Sequence, residues 1–143
     1  MRIIGLDFGD KRIGVALSDP SSIIAQGLDT LENDKGILTI KKIADIANVN
    51  SVDKIVIGLP KNMDGTLGFQ GQKVINFSEE LKAVFLGEII LWDERLSTKS
   101  AAKHMSDTSK TKDKKKGKLD MIAAILILQG YLDFYNRKKK EEI

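Results

Sequence analysis

Apolar residues recur along this chain with two different periods, and the switches between them mark its elements. Residues 3–6 (Ile3-Ile4-Gly5-Leu6) form a short, β-branched apolar run, which predicts a buried strand. Gly9-Asp10 is a turn signal, and Ile13, Val15 and Leu17 then alternate through a second strand over 12–17. Asp19-Pro20-Ser21-Ser22 interrupts the pattern before a third strand over 24–31. Spacing this tight predicts antiparallel hairpins. Over 36–49 the period lengthens, and Ile37, Ile40, Ile43, Ala44 and Ala47 share one face of an amphipathic helix. A fourth strand over 54–59 ends at Pro60, and 61–66 is a loop. Val74, Phe77, Leu81 and Val84 mark a helix over 70–85, and a fifth strand follows over 88–92. Beyond it the pattern predicts a short helix over 97–105, with Ser97 or Thr98 as N-cap. A disordered stretch is expected over 106–117, then a last helix over 119–135 whose basic Arg137–Lys140 run complements its dipole and then frays.

Hairpins followed by βα units require crossover helices and parallel pairing. The expected fold class is therefore α/β, a mixed five-stranded sheet with helices on both faces. No repeat or linker divides the chain, so its 143 residues are expected to form a single domain, 1–143, with a basic tail over 137–143.

Composition removes several kinds of chemistry. There is no cysteine, which excludes a disulfide scaffold, a cysteine nucleophile and a cysteine-ligated zinc site. His104 is the single histidine, which excludes a multi-histidine metal cage, and it is expected on the surface. No apolar run approaches the ~18 residues needed to span a bilayer, and Asp7 is out of place in a secretory leader. A cytoplasmic protein with no membrane partner is expected. The net charge of +3 conceals an asymmetry: 110–118 hold six lysines against one acid, while the rest of the chain outside the tail is net acidic. Lys112, Lys114, Lys115, Lys116 and Lys118 are candidates for phosphate-backbone contact; the alternative is a solvated, mobile charge run.

The acids carry the chemical signal. Asp7 closes the first apolar run, and Asp93 and Glu94 close Ile89-Ile90-Leu91-Trp92. Both runs look too apolar for edge strands, and ligands of α/β sheets bind at the carboxyl ends of the strands. If those two strands are parallel neighbours, their carboxylates meet. Carboxylates that close repel unless a cation lies between them; Lys11 or Arg12 can serve, and a divalent ion serves better. Asp120 shares a helix face with Ala124, Ile127 and Tyr131, an apolar face directed at the sheet. Three acids around Mg²⁺ or Mn²⁺ would hydrolyse phosphodiesters by activating water, with no serine or histidine nucleophile. Taken singly, each acid also reads as a turn or helix-end residue.

Other positions stay open between two readings. Lys11 and Arg12 either contact phosphate or are solvated hairpin charges. Asn62, in the loop Asn62-Met63-Asp64-Gly65-Thr66, either touches substrate or belongs to an Asp-Gly turn. Arg95 either pairs with Asp93 or Glu94 or binds phosphate. Trp92 reads as core, and an aromatic content of 6% argues against a strand binder that stacks successive bases.

The runs Gly5-Leu6-Asp7-Phe8-Gly9-Asp10-Lys11-Arg12-Ile13-Gly14-Val15-Ala16, Gly58-Leu59-Pro60-Lys61-Asn62-Met63-Asp64-Gly65, Trp92-Asp93-Glu94-Arg95-Leu96-Ser97-Thr98 and Asp120 through Gln129 together resemble the YqgF family, also called RuvX. The resemblance covers nearly the whole chain in order. It implies a ribonuclease H-like fold and a bacterial cytoplasmic nuclease that processes the 5′ end of precursor 16S ribosomal RNA. Resolution of four-way DNA (Holliday) junctions in recombination and repair is the alternative assignment. The family's acids fall on Asp7, on Glu94 with Asp93 beside it, and on Asp120. The basic segment before Asp120 is rich in lysine here, where the family's is rich in arginine; the charge is kept and bidentate phosphate geometry is lost.

Two other classes compete with a metal-dependent nuclease. One is a non-catalytic nucleic-acid binder or ribosome-assembly factor on the same fold. The other is a sugar kinase or actin-like ATPase, whose phosphate turn Asp7-Phe8-Gly9 is similar to, although such enzymes use two copies of the fold. RNA against branched DNA, one metal against two, and monomer against homodimer are not legible in the sequence.

Overall fold

A computed structural model describes residues 1–96 and 113–141. Three strands, β1 (Arg2–Phe8), β2 (Arg12–Ser18) and β3 (Ala25–Glu32), form consecutive antiparallel hairpins. Helix α1 (Ile37–Val49) then crosses to β4 (Val52–Leu59), and α2 (Phe69–Lys82) crosses to β5 (Glu88–Asp93). β4 runs parallel to β1, and β5 parallel to β4. A 3-10 turn, Glu94–Leu96, follows β5, and a long helix α3 (Asp113–Glu141) ends the described chain. The sheet order is β3-β2-β1-β4-β5.

Strand alternation divides the core into two layers. Ile4, Leu6, Ile13, Val15, Ile55 and Ile57 pack beneath α1 and α2, against Ile43, Phe77 and Leu81. Ile3, Ala16, Val56 and Trp92 face the other way, beneath Ala124, Ile127, Leu128 and Leu132 of α3. The mixed five-stranded sheet with a helix layer on each face is the architecture the sequence predicts.

Three local expectations need correction. First, β1 does not stop at Leu6: its pairing with β2 continues through Asp7↔Gly14 and Phe8↔Ile13, so Asp7 lies inside the strand. Second, β5 is an edge strand, and β4 separates it from β1. Its apolar run is explained by packing on both faces, Ile89 against the layer beneath α1 and α2, and Ile90 and Trp92 against the α3 layer, while Leu91 is exposed. Third, α3 begins at Asp113, so residues 113–117 are helical, and it continues to Glu141. Lysine is a good helix former, and the Gly117 carbonyl accepts a hydrogen bond from the Thr30 hydroxyl of β3 at 2.5 Å, which anchors the first turns. The helix expected over 97–105 and the stretch 106–112 lie outside the described residues. No helix among the described residues is long and apolar enough to cross a membrane.

Candidate active site

Asp7 lies mid-sheet on β1, and its alternation with Leu6 and Phe8 turns it to the α3 face. It is 7% exposed.

The positions around Asp7 on that face are glycines. Gly14 is its direct partner on β2. A Cβ built on Gly14 would fall 2.0 Å from the Asp120 carbonyl oxygen, so only a glycine lets α3 lie this close. Gly5, two residues before Asp7, makes the same allowance: a Cβ there would fall 2.5 Å from Leu128 Cβ. On β4, Leu6 pairs with Ile57, which sets Gly58 alongside Asp7. A Cβ at Gly58 would fall 2.6 Å from Glu94 Oε1 and 2.5 Å from Ile127 Cδ1. The expected meeting of Glu94 and Asp7 through neighbouring strands therefore does not occur, because β4 lies between β1 and β5. Glu94 opens the 3-10 turn after edge strand β5 and reaches back over Gly58. Asp7, Glu94 and Asp120 thus come to one face of one sheet end.

Asp120 is held by Arg12, whose Nε donates to Oδ2 at 2.9 Å. Arg12 thus stands as a cation beside these acids, the role that Lys11 or Arg12 could serve. Lys11, Arg12 and Lys116 line one recess of about 540 Å³, with Asp10, Glu32, Asn33 and Asp34 supplying acid and amide groups. Lys118 is exposed two residues before Asp120. Lys114 and Lys115 ride on the first turns of α3; their side chains, like Lys112 and His104 as a whole, lie outside the described residues.

Asp93 belongs to Arg95. The guanidinium Nε lies 3.1 Å from both carboxylate oxygens and a terminal nitrogen 2.7 Å from Oδ2. These bonds hold the Asp93 carboxyl below its ordinary range, and the Arg95 guanidinium is raised by the same contact. Of the two readings of Arg95, the pairing is the one seen. Asn62 braces its own loop: its backbone N–H donates to the Thr66 carbonyl at 2.9 Å and its amide to Thr66 Oγ1 at 3.0 Å. Gly65 supplies the positive φ of 87° that this turn needs. Arg95 lies against the same loop, 3.5 Å from the Met63 carbonyl oxygen. Trp92 is core, as expected.

The donor set is chemically suited to a hard divalent cation, which takes carboxylate oxygens. Among the described residues no three His, Asp or Glu side chains stand close enough to cage an ion as they are placed. Mg²⁺ does not require such a cage, because it is bound through one or two carboxylates with water and substrate phosphate oxygens. Sequence reasoning missed Gly5, Gly14 and Gly58 as site residues. The available signal was a glycine inside an apolar strand run, which marks a close approach by another backbone or side chain.

The family model for RuvX, described as Holliday junction resolvase, matches residues 1–134. The chain belongs to the RuvX family. A relative from Clostridium tetani named "Putative pre-16S rRNA nuclease" is 54% identical over 138 residues, covering 96% of this chain and 100% of the relative. One of the same name from Thermoanaerobacter pseudethanolicus is 50% identical over 139 residues, covering 96% and 100%. Among solved structures, Thermus thermophilus RuvC in complex with a Holliday junction substrate superposes with a TM-score of 0.60 at 9% identity, covering 96% of both chains. The fowlpox virus Holliday junction resolvase superposes at 0.52 with 18% identity, covering 93% of this chain and 99% of its own. At such identities these likenesses establish the fold, and it is the ribonuclease H-like fold that the RuvX resemblance implies.

Proposed function

We propose that the protein is a metal-dependent nuclease that trims the 5′ end of precursor 16S ribosomal RNA in the cytoplasm. One observation carries this reading: three carboxylates from distant parts of the sequence come to one face, around strand positions kept clear by glycine. The name shared by relatives at about half identity selects the substrate. Asp7, Glu94 and Asp120 would hold Mg²⁺ or Mn²⁺, which supplies an activated water and charge stabilisation at the leaving oxygen. The chain's own groups set up that chemistry. Arg12 fixes the Asp120 carboxylate, and with Lys11 and Lys116 it offers positive charge to a strand passing the recess. Arg95 clamps Asp93 and the 62–66 loop, which steadies the turn that carries Glu94.

The family description favours a second substrate, a four-way DNA junction, which requires two sites related by symmetry and hence a dimer. The deciding experiment offers precursor ribosomal RNA and a DNA four-way junction to the protein side by side, with and without Mg²⁺. Cleavage of the RNA that needs the metal and is abolished in a folded Asp7→Asn variant is expected. Undiminished cleavage by Asp7→Asn contradicts the mechanism. Metal-independent binding without cleavage identifies a ribosome-assembly factor instead.

A further inference from the structure

The sheet end that carries Asp7 also has a cleft on its opposite face, and the carboxylate site makes no use of it. The cleft has a volume of about 250 Å³ and lies between α1 and α2. Phe8, Ile40 and Phe77 form its apolar floor, and Lys73, Asn76 and Glu80 stand on its rim. Phe8 follows Asp7 directly, and strand alternation sends the two side chains to opposite faces. The cleft is therefore one residue away from the candidate reaction centre.

Its lining is that of a site for one flat, polar-edged ring. Phe8 and Phe77 lie with centroids 4.6 Å apart and planes tilted by 37°, a continuous aromatic wall. The rim groups divide into donor and acceptor. Gln72 donates to Asn76 Oδ1 at 3.1 Å, so Asn76 meets the cleft as a donor. Glu80 lies one turn further along α2, on the same helix face, as an acceptor. Lys73 is tied to Asp10 at 3.0 Å, which closes the side nearest the β1–β2 turn. Thr39 is already engaged, since its hydroxyl donates to Asp34. The volume falls just below the ~300–1,000 Å³ of pockets that take drug-sized ligands, which suits a single heterocyclic base. An aromatic floor with a donor and an acceptor at its edge is how proteins hold unstacked bases.

We propose that this cleft receives one unstacked base of the strand bound at the Asp7 edge. The base stacks on Phe8 and Phe77, and its edge is hydrogen-bonded by Asn76 and Glu80. The inference rests on the nuclease reading and adds to it a determinant of where the strand is cut. A single base pocket is distinct from a platform that stacks successive bases, so the low aromatic content does not oppose it.

The test uses the full chain carrying Asp7→Asn, so that strands bind without being cut. Single-stranded oligoribonucleotides carry 2-aminopurine at successive positions; anisotropy reports binding, and the emission of the probe reports unstacking. A severalfold rise in emission at one position is expected. Adding Asn76→Phe, a change at an exposed rim position that fills the cleft, removes that rise and weakens binding by about tenfold, in the range for losing one stacked base. Strand binding with no position-specific rise overturns the proposal, as does a rise that Asn76→Phe leaves unchanged. A second arm titrates free nucleosides into the ¹⁵N-labelled protein, where shifts at Phe8, Ile40, Asn76 and Phe77 are expected and their absence counts against the cleft. Nucleoside shifts without any affinity for strands would overturn the nuclease reading and the strand as the source of the base, leaving a nucleoside site.

Discussion

The two faces of the sheet are built from the same strands and solve different problems. Beneath α1 and α2 the strands present Ile4, Leu6, Ile13, Val15, Ile55 and Ile57, large side chains that hold the helices off at ordinary packing distance. Beneath α3 the same strands present Gly5, Gly14 and Gly58 beside Asp7, and there helix backbone and the Glu94 side chain come into the space of the missing side chains. The first face buries apolar area and stabilises the fold. The second exchanges some of that burial for proximity between charged groups. Candidate chemistry thus collects where the strands have been stripped of side chains.

Substitutions on the two faces should therefore separate activity from stability. The largest effect is expected for Glu94→Gln and for Asp120→Asn. Each should lower cleavage more than about 100-fold, beyond the 10–100-fold typical of outer-shell changes around a metal. Ile55→Val on the opposite face should keep activity while costing about 1 kcal/mol in denaturant unfolding. Next comes Gly14→Ala, whose Cβ would fall 2.0 Å from a backbone oxygen of α3. Backbone cannot yield as a side chain can, and a loss of about 2–3 kcal/mol is expected in thermal or denaturant melts. Gly58→Ala meets side-chain ends and no backbone, Ile127 Cδ1 at 2.5 Å and Glu94 Oε1 at 2.6 Å. Its melt should fall less than that of Gly14→Ala, because only the buried Ile127 must repack, while cleavage drops about tenfold, the misplacement of one catalytic group. A Gly58→Ala variant as unstable as Gly14→Ala would show that the glycine serves packing and not the carboxylate.

The smallest effect is a pH dependence. The Asp93 carboxyl is lowered by the hydrogen bond from Arg95, so the native state favours its charged form. That stabilisation is present above the ordinary carboxylate pKa and is lost as pH falls through the lowered folded value. Arg95 is well exposed, so Asp93→Asn should cost less than about 1 kcal/mol at neutral pH. The difference from the parent should vanish in acid; a difference that persists there would assign the loss to packing.

Much of this was legible in the sequence because alternation and helical periodicity report directly on burial. The hairpins, α1, α2 and the apolar face of α3 are of this kind, and the three acids stood out because each adjoins an apolar run. The remainder depended on contacts between distant residues. The extension of β1 through Phe8 is set by its partner strand. The edge position of β5 was hidden because Trp92 is buried by Tyr131 of α3, which makes an edge strand look interior. A lysine block has the same composition in a solvated helix as in a loop, so the start of α3 at Asp113 was not readable. Arg95 pairs with Asp93 for reasons of side-chain direction that no spacing encodes.

The central claim is that a divalent cation belongs on the glycine-lined face, among Asp7, Glu94 and Asp120. Paramagnetic broadening of backbone amide signals by Mn²⁺ tests this without reference to substrate or turnover. The account predicts broadening centred on Asp7, Gly14, Gly58, Glu94 and Asp120, sparing α1, and lost in Asp7→Asn. Broadening centred on another part of the surface, or none at millimolar Mn²⁺, would contradict it.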